Sequence, residues 1–125
     1  MKRTNRLSIL AVLLATTAAF LFAADVSGTW TATFDTQVGQ QPYTFMFKQD
    51  GMKLTGTAKN TFTETDVEIT DGKVDGDTIS FVENMTYQGM PLRITYKGTI
   101  NGDEISFTRN VADFADETGK AMRKK

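Results

Sequence analysis

The chain has no cysteine and no histidine, and only two prolines and one tryptophan in 125 residues. Without cysteine there is no disulfide, no thiolate nucleophile and no lipid anchor attached through a thiol. Without histidine the commonest general base and metal ligand at neutral pH is missing. A carboxylate-pair glycosidase would need two acids facing one cleft, and the alternation described below turns only Glu83 inward. The usual general base and nucleophile are therefore missing, and no catalytic residue, metal or cofactor site is assigned. The expectation is a protein that is not an enzyme, with an enzyme built on unfamiliar residues as the least favoured reading. A basic surplus is also absent. Three of the fourteen basic residues, Lys2, Arg3 and Arg6, precede Asp25, whereas all fifteen acidic ones, Asp25 included, lie from there onward. From Asp25 onward eleven basic residues face fifteen acidic ones, a net charge of −4. That balance disfavours nucleic acid or an anionic membrane surface as a partner, since both select a basic face.

One long apolar run is present, at the N-terminus. A basic start (Lys2, Arg3, Arg6), an apolar stretch over Leu7–Phe22 and the small pair Ala23–Ala24 have the order of a secretory signal peptide. A membrane anchor is the competing reading, because the run approaches bilayer-spanning length. Thr16 and Thr17 weaken it, and no basic stop-transfer cluster follows. Residues 1–24 are thus read as a signal peptide and residues 25–125 as a single domain. The mature protein is then periplasmic or secreted, without stable membrane insertion. A domain of roughly a hundred residues without disulfides depends on one well-packed core.

What recurs is a phrase. "GKVDGDTISF" at Gly72–Phe81 returns as "GTINGDEISF" at Gly98–Phe107, and "FKQDGMKLTGT" is a blurred third copy around Asp50-Gly51. Asp-Gly or Asn-Gly between alternating runs is a strong hairpin signal, because a type I′ turn needs positive φ at both central residues. Reading alternation outward from these corners predicts eight strands. They are Thr29–Asp35, Tyr43–Gln49, Met52–Lys59, Thr63–Val74, Asp77–Met85, Leu92–Ile100, Glu104–Arg109 and a short one at Lys120–Lys124. One helical turn is expected near Ala112–Glu117. The apolar face includes Trp30, Phe34, Tyr43, Phe45, Phe47, Met52, Leu54, Ile79, Phe81, Ile94, Tyr96, Ile105 and Phe107. The predicted fold is all-β, an eight-stranded antiparallel up-and-down β-barrel, since closure removes the exposed edges of a short meander. A membrane barrel is excluded, because the second face is Thr, Lys, Asp and Glu rather than a lipid-facing apolar band.

Strand direction gathers the three corners at one closed pole. Trp30, near the start of the first strand, and Arg123, near the end of the last, meet there. Gly28-Thr29-Trp30, "DGMKLTGT" at Asp50–Thr57 and Arg123 resemble the lipocalin and avidin-like barrels of the calycin group. The resemblance implies that Trp30 and Arg123 form a structural plug, the guanidinium stacked on the indole. "SGTW", "DGMKLTGT", "DGKVDGDTISF", "YKGTINGDEISFTR" and "ADFADE" are together similar to small secreted bacterial modules, some of them appended to carbohydrate-active enzymes. That likeness implies an extracytoplasmic location and a carbohydrate connection by association, with no established activity.

The opposite pole carries the segments predicted to be longer loops: Thr36–Pro42, Asn60–Thr63, Thr86–Pro91 and Asn110–Gly119. Seven residues beyond the corner glycines Gly76 and Gly102 stand Glu83 and Arg109, both continuing inward rows. They form either an orienting pair for a polar ligand group or a buried ion pair that closes the core. Tyr43, Phe62, Met85, Tyr87, Met90 and Phe114 surround the same mouth, either as stacking surfaces for a flat ligand or sugar or as a cap folded over the barrel. Tyr87, Glu83, Arg109, Tyr96, Tyr43 and Phe62 are the candidate ligand contacts. The acids Glu64, Asp66 and Glu68 share an outward face, and Asp71–Asp77 lacks the EF-hand spacing, so neither reads as a metal site. The first functional reading is a binding module that takes a small molecule or a carbohydrate at the open end. The alternative is a protein-interaction or inhibitor module that uses loops and outer wall around a sealed interior.

Overall fold

A computed structural model describes residues 25–60 and 65–125; the expected signal peptide and Phe62 lie outside the described residues. Nine strand segments follow one another: β1 (Gly28–Thr36), β2 (Gly39–Asp50), β3 (Lys53–Asn60), β4 (Asp66–Glu68), β5 (Thr70–Asp75), β6 (Thr78–Tyr87), β7 (Met90–Asn101), β8 (Glu104–Val111) and β9 (Ala115–Arg123). Every neighbouring pair is antiparallel, and β1 pairs with both β2 and β9, so the sheet closes on itself. The expected fourth strand is interrupted at Ile69, whose side chain is buried and whose amide donates to the Gly56 carbonyl at 3.0 Å. Both halves, β4 and β5, pair with β3, and the barrel is eight-stranded.

Alternation drives closure. Trp30, Ala32 and Phe34 of β1, Tyr43, Phe45 and Phe47 of β2, and Ile105 and Phe107 of β8 all point inward, while their chain neighbours face water. Phe34, Phe45, Phe81, Tyr96 and Phe107 pack mutually, with ring centroids between 4.4 and 6.4 Å. Edge-on and stacked aromatic contacts of this kind contribute about 0.5–1.5 kcal/mol each beyond area burial. Gly119 makes room for them, because a Cβ there would stand 2.7 Å from the Phe34 ring and 2.5 Å from the Thr33 carbonyl oxygen. The middle of the barrel is therefore packed with side chains.

The three repeated corners do gather at one pole. Successive turns are tied to the neighbouring hairpin through Val74 N to Met52 O, Ile100 N to Asp77 O and Arg123 N to Asp103 O, at 2.7–2.9 Å. Their type differs from expectation. Asp50 pairs with Lys53, Asp75 with Thr78 and Asn101 with Glu104, so each two-residue loop is the glycine and the residue after it. Only the glycine has positive φ (64°, 65° and 64°), the pattern of a type II′ turn. Met52 thereby sits at a turn centre and is exposed, not on the inner face.

At this pole the Arg123 guanidinium lies 4.5 Å from the Trp30 ring, and its NH1 and NH2 donate to the carbonyls of Ser27 and Asp25 at 2.9 Å. The indole Nε1 donates to the Val26 carbonyl at 2.9 Å. Trp30 is fully buried, so the plug exists as a structural feature.

The opposite pole departs further from expectation. Thr36 pairs with Gly39 and Tyr87 with Met90, which leaves two-residue turns, and Gln88-Gly89 has positive φ at both centres, the I′ geometry. The segment expected to carry a helical turn is a three-residue hairpin between Val111 and Ala115. β9 starts at Ala115 and runs nine residues rather than being a short strand at Lys120–Lys124. Strand pairing has consumed what composition suggested were loops.

Candidate functional site

Register places the polar interior. Arg109 on β8 is paired with Tyr96 on β7 and with Glu117 on β9. Glu83 on β6 is paired with Ile94, two residues along β7 from Tyr96. Glu83 and Arg109 are therefore not level across the sheet, and the phenol of Tyr96 bridges them. Tyr96 OH donates to Glu83 Oε1 at 2.8 Å and accepts from Arg109 NH1 at 2.9 Å. Tyr43 OH donates to the same carboxylate at 3.0 and 3.3 Å, and Asn60 Nδ2 donates to Tyr43 OH at 3.3 Å. On the far side, Arg109 Nε and NH2 reach Glu117 Oε1 at 2.8 and 2.7 Å, and NH2 donates to Gln41 Oε1 at 2.9 Å. The guanidinium also stacks 4.2 Å from the Phe34 ring centre.

Burial makes this chain energetically demanding. Glu83 is 0% and Arg109 2% exposed. Burial pushes the Glu83 carboxyl above its usual range, opposed by the two phenols, Arg109 and Asn60. It also pushes the Tyr43 phenol up to about 12 and the Tyr96 phenol well above its usual value, in both cases aided by the nearby Glu83 charge. Burial disfavours the charge on Arg109, but the two tyrosine oxygens and Glu117 outweigh it, so the guanidinium is held more firmly protonated. Removing a charged member of this network costs about 3–5 kcal/mol, because its partner charge is left uncompensated.

Above this network lies a pocket of about 240 Å³. Its walls are the apolar side chains of Val38, Met85, Leu92, Ile94, Val111 and Phe114, with Tyr87 at the rim. Arg109, Gln41 and Glu117 form its polar patch. Met85, Leu92, Ile94 and Val111 stand on strands, whereas Val38 and Phe114 stand in the short turns after β1 and β8. Two of the hairpin residues, Ala112 and Asp113, hold φ of 48° and 64°, a region that costs a non-glycine residue about 1–2 kcal/mol.

Of the six candidate ligand contacts, Tyr87 and Arg109 line the pocket. Glu83, Tyr96 and Tyr43 are buried beneath it and interact with one another, and Phe62 lies outside the described residues. Two polar lining residues, Gln41 and Glu117, are not among the contacts expected from sequence. The signal for both is present. Counting back by twos from Tyr43 reaches Gln41, and from Ala121 reaches Gly119 and Glu117. Both segments have the composition of loops, which stops the count.

No protein-family model matches the chain, and no curated protein matches it. Among solved structures, that of a redesigned β-barrel is similar, with a TM-score of 0.59 at 19% sequence identity, covering 80% of this chain and 92% of that one. At this identity the likeness concerns the fold alone: an antiparallel, closed, eight-stranded β-barrel.

Proposed function

We propose that the protein is an exported binding module without catalytic activity that holds a small, mostly apolar ligand in the mouth pocket. The observation that carries this reading is the pocket itself, a mostly apolar concavity of about 240 Å³ whose polar lining is Arg109, Gln41 and Glu117, with Thr36 and Gln37 beside the β1–β2 turn. Small sites of this build are preformed, apolar and oriented by few polar groups. Export is supported by the order of basic, apolar and small residues over Met1–Ala24. The calycin likeness adds the Trp30–Arg123 plug, which seals the other pole. A carbohydrate is the weaker ligand, because a sugar needs free polar partners around its ring. Here Arg109, Gln41 and Glu117 are largely engaged with one another. Neither nucleic acid nor an anionic lipid surface suits a domain of net charge −4.

A protein-interaction role is the second reading. It draws on a barrel centre filled by rings and on Val38, Met90 and Phe114 standing exposed at the rim. A two-dimensional NMR titration of the protein spanning residues 25–125, with a library of small aromatic and aliphatic fragments and short glycans, separates the two. Fragment-induced shifts clustered on Val38, Leu92, Val111 and Phe114 are expected. Tyr87→Ala is expected to weaken the best fragment about tenfold, the loss of one aromatic contact of about 1.4 kcal/mol, without lowering the melting temperature appreciably. A library that leaves these resonances unmoved would remove the ligand reading.

A further inference from the structure

Resting on the mouth-pocket reading, the identity of the ligand's polar end follows from which pocket groups still lack a partner. Among the described residues Arg109 is the one cation on the pocket wall, and each of its three nitrogens already donates: Nε to Glu117, NH2 to Gln41 and NH1 to Tyr96, with NH2 also 2.7 Å from Glu117 Oε1. It has little left to offer an anion. Glu117 is different. Both of its bonds fall on Oε1, and Oε2 accepts nothing from the described residues. The side chain is 11% exposed and lines the pocket wall, so Oε2 is an acceptor that a ligand donor in the pocket can reach. A half-buried carboxylate oxygen gains from a charged donor, since such hydrogen bonds are the stronger ones.

Charge points the same way. The connected interior groups comprise one guanidinium, Arg109, and two carboxyls, Glu83 and Glu117. The hairpin over the pocket adds Asp113 and Asp116, and no lysine lines the cavity. At the pocket wall itself Arg109 and Glu117 pair with each other, so an anion would find no free cation there and would stand beside the Glu117 carboxylate.

We infer that the pocket recognises a small primary amine, its ammonium donating to Glu117 Oε2 and its apolar body lying against Leu92, Val111, Phe114 and Tyr87. Size sets the class. A volume of about 240 Å³ at roughly 30 Å³ per water-sized group accommodates about eight non-hydrogen atoms. That is the scale of an arylalkylamine or a short alkylamine, not of a lipid. The rim ring of Tyr87 supplies a face for either an aromatic body or the cation itself.

The test compares three probes that share one phenylethyl body on the protein spanning residues 25–125: 2-phenylethylamine, 3-phenylpropionate and 2-phenylethanol, by NMR titration and calorimetry at pH 7. The amine is expected to bind at least tenfold tighter than the other two. Glu117→Gln keeps an acceptor for Arg109 and is expected to erase that preference, with the melting temperature recording that the fold survives. Tighter binding of the carboxylate, or an amine preference unchanged in Glu117→Gln, overturns the amine assignment. Equal binding of all three at the mouth also overturns it while the pocket reading stands. Absence of mouth shifts with every probe overturns both.

Discussion

Glu83 has no exposed surface, and that ties its protonation to folding. Its carboxyl is raised above the ordinary value of 4.5 because burial penalises the charged form more than two phenols, Asn60 and Arg109 favour it. The native state thus binds this proton more tightly than the unfolded chain does. Its contribution to stability is complete below the unfolded value and is lost as pH rises through the native value, with a slope of up to about 1.4 kcal/mol per pH unit. Asp25 and Asp103 have lowered values and act in the opposite sense, but only below 3.8. Between pH 5 and the raised value of Glu83, urea midpoints are therefore expected to fall with increasing pH, and Glu83→Gln is expected to flatten that dependence. A wild-type midpoint that rises across this window would contradict the carboxyl's burial. Tyr96 is the second test at this scale. Tyr96→Phe removes both a donor to Glu83 and an acceptor for Arg109, whereas Tyr43→Phe leaves Glu83 its Tyr96 bond. Equilibrium unfolding is expected to show a loss of about 2–3 kcal/mol for the first and about 1 kcal/mol for the second. The reverse ranking would mean that the bridge lies elsewhere.

Elements show what sequence makes legible. The corner glycines, the inward rows and the meeting of Trp30 with Arg123 are all readable, because alternation and turn chemistry are local. Turn type is not. Asp-Gly is compatible with two loop registers one residue apart, and the register is chosen by how flanking residues pair across the barrel. The mouth hairpins are harder still. Gln88-Gly89 carries a turn signal, but Ala112 adopts positive φ, which its side chain does not favour, and only Asp113 beside it is a residue that tolerates that region. Composition there suggests loop, while pairing of Val111 with Ala115 and Asn110 with Asp116 imposes a hairpin. Glu117, and with it the pocket's polar wall, was hidden by that misreading. The strain itself is measurable. Ala112→Gly is expected to stabilise the protein by about 0.5–1 kcal/mol in urea unfolding, as relief of the left-handed penalty exceeds the added entropy of the unfolded glycine. Destabilisation by this substitution would show that Ala112 does not adopt that conformation.

At the scale of the molecule, closure depends on β9, which pairs with β8 over Glu104–Val111 and with β1 over Trp30–Phe34. It brings Glu117 to the mouth and Arg123 to the plug, so one strand serves both poles. Without it, β1 and β8 become long unpaired edges beside Trp30, Phe34 and Phe107, the arrangement that templates association between chains. A chain ending at Val111 is therefore expected to lose its cooperative unfolding transition and to sediment as oligomers, because neither edge is covered by any other described element. The same reasoning predicts repair in trans. A peptide spanning residues 112–125 offers two edges to pair with at once, and strand addition of this kind gains main-chain hydrogen bonds along its whole length. Mixing it with the truncated chain is expected to restore a monomer-sized complex with a single melting transition. A truncated chain that stays monomeric and melts cooperatively alone would show that the barrel closes through other contacts, and that neither pole relies on its last strand.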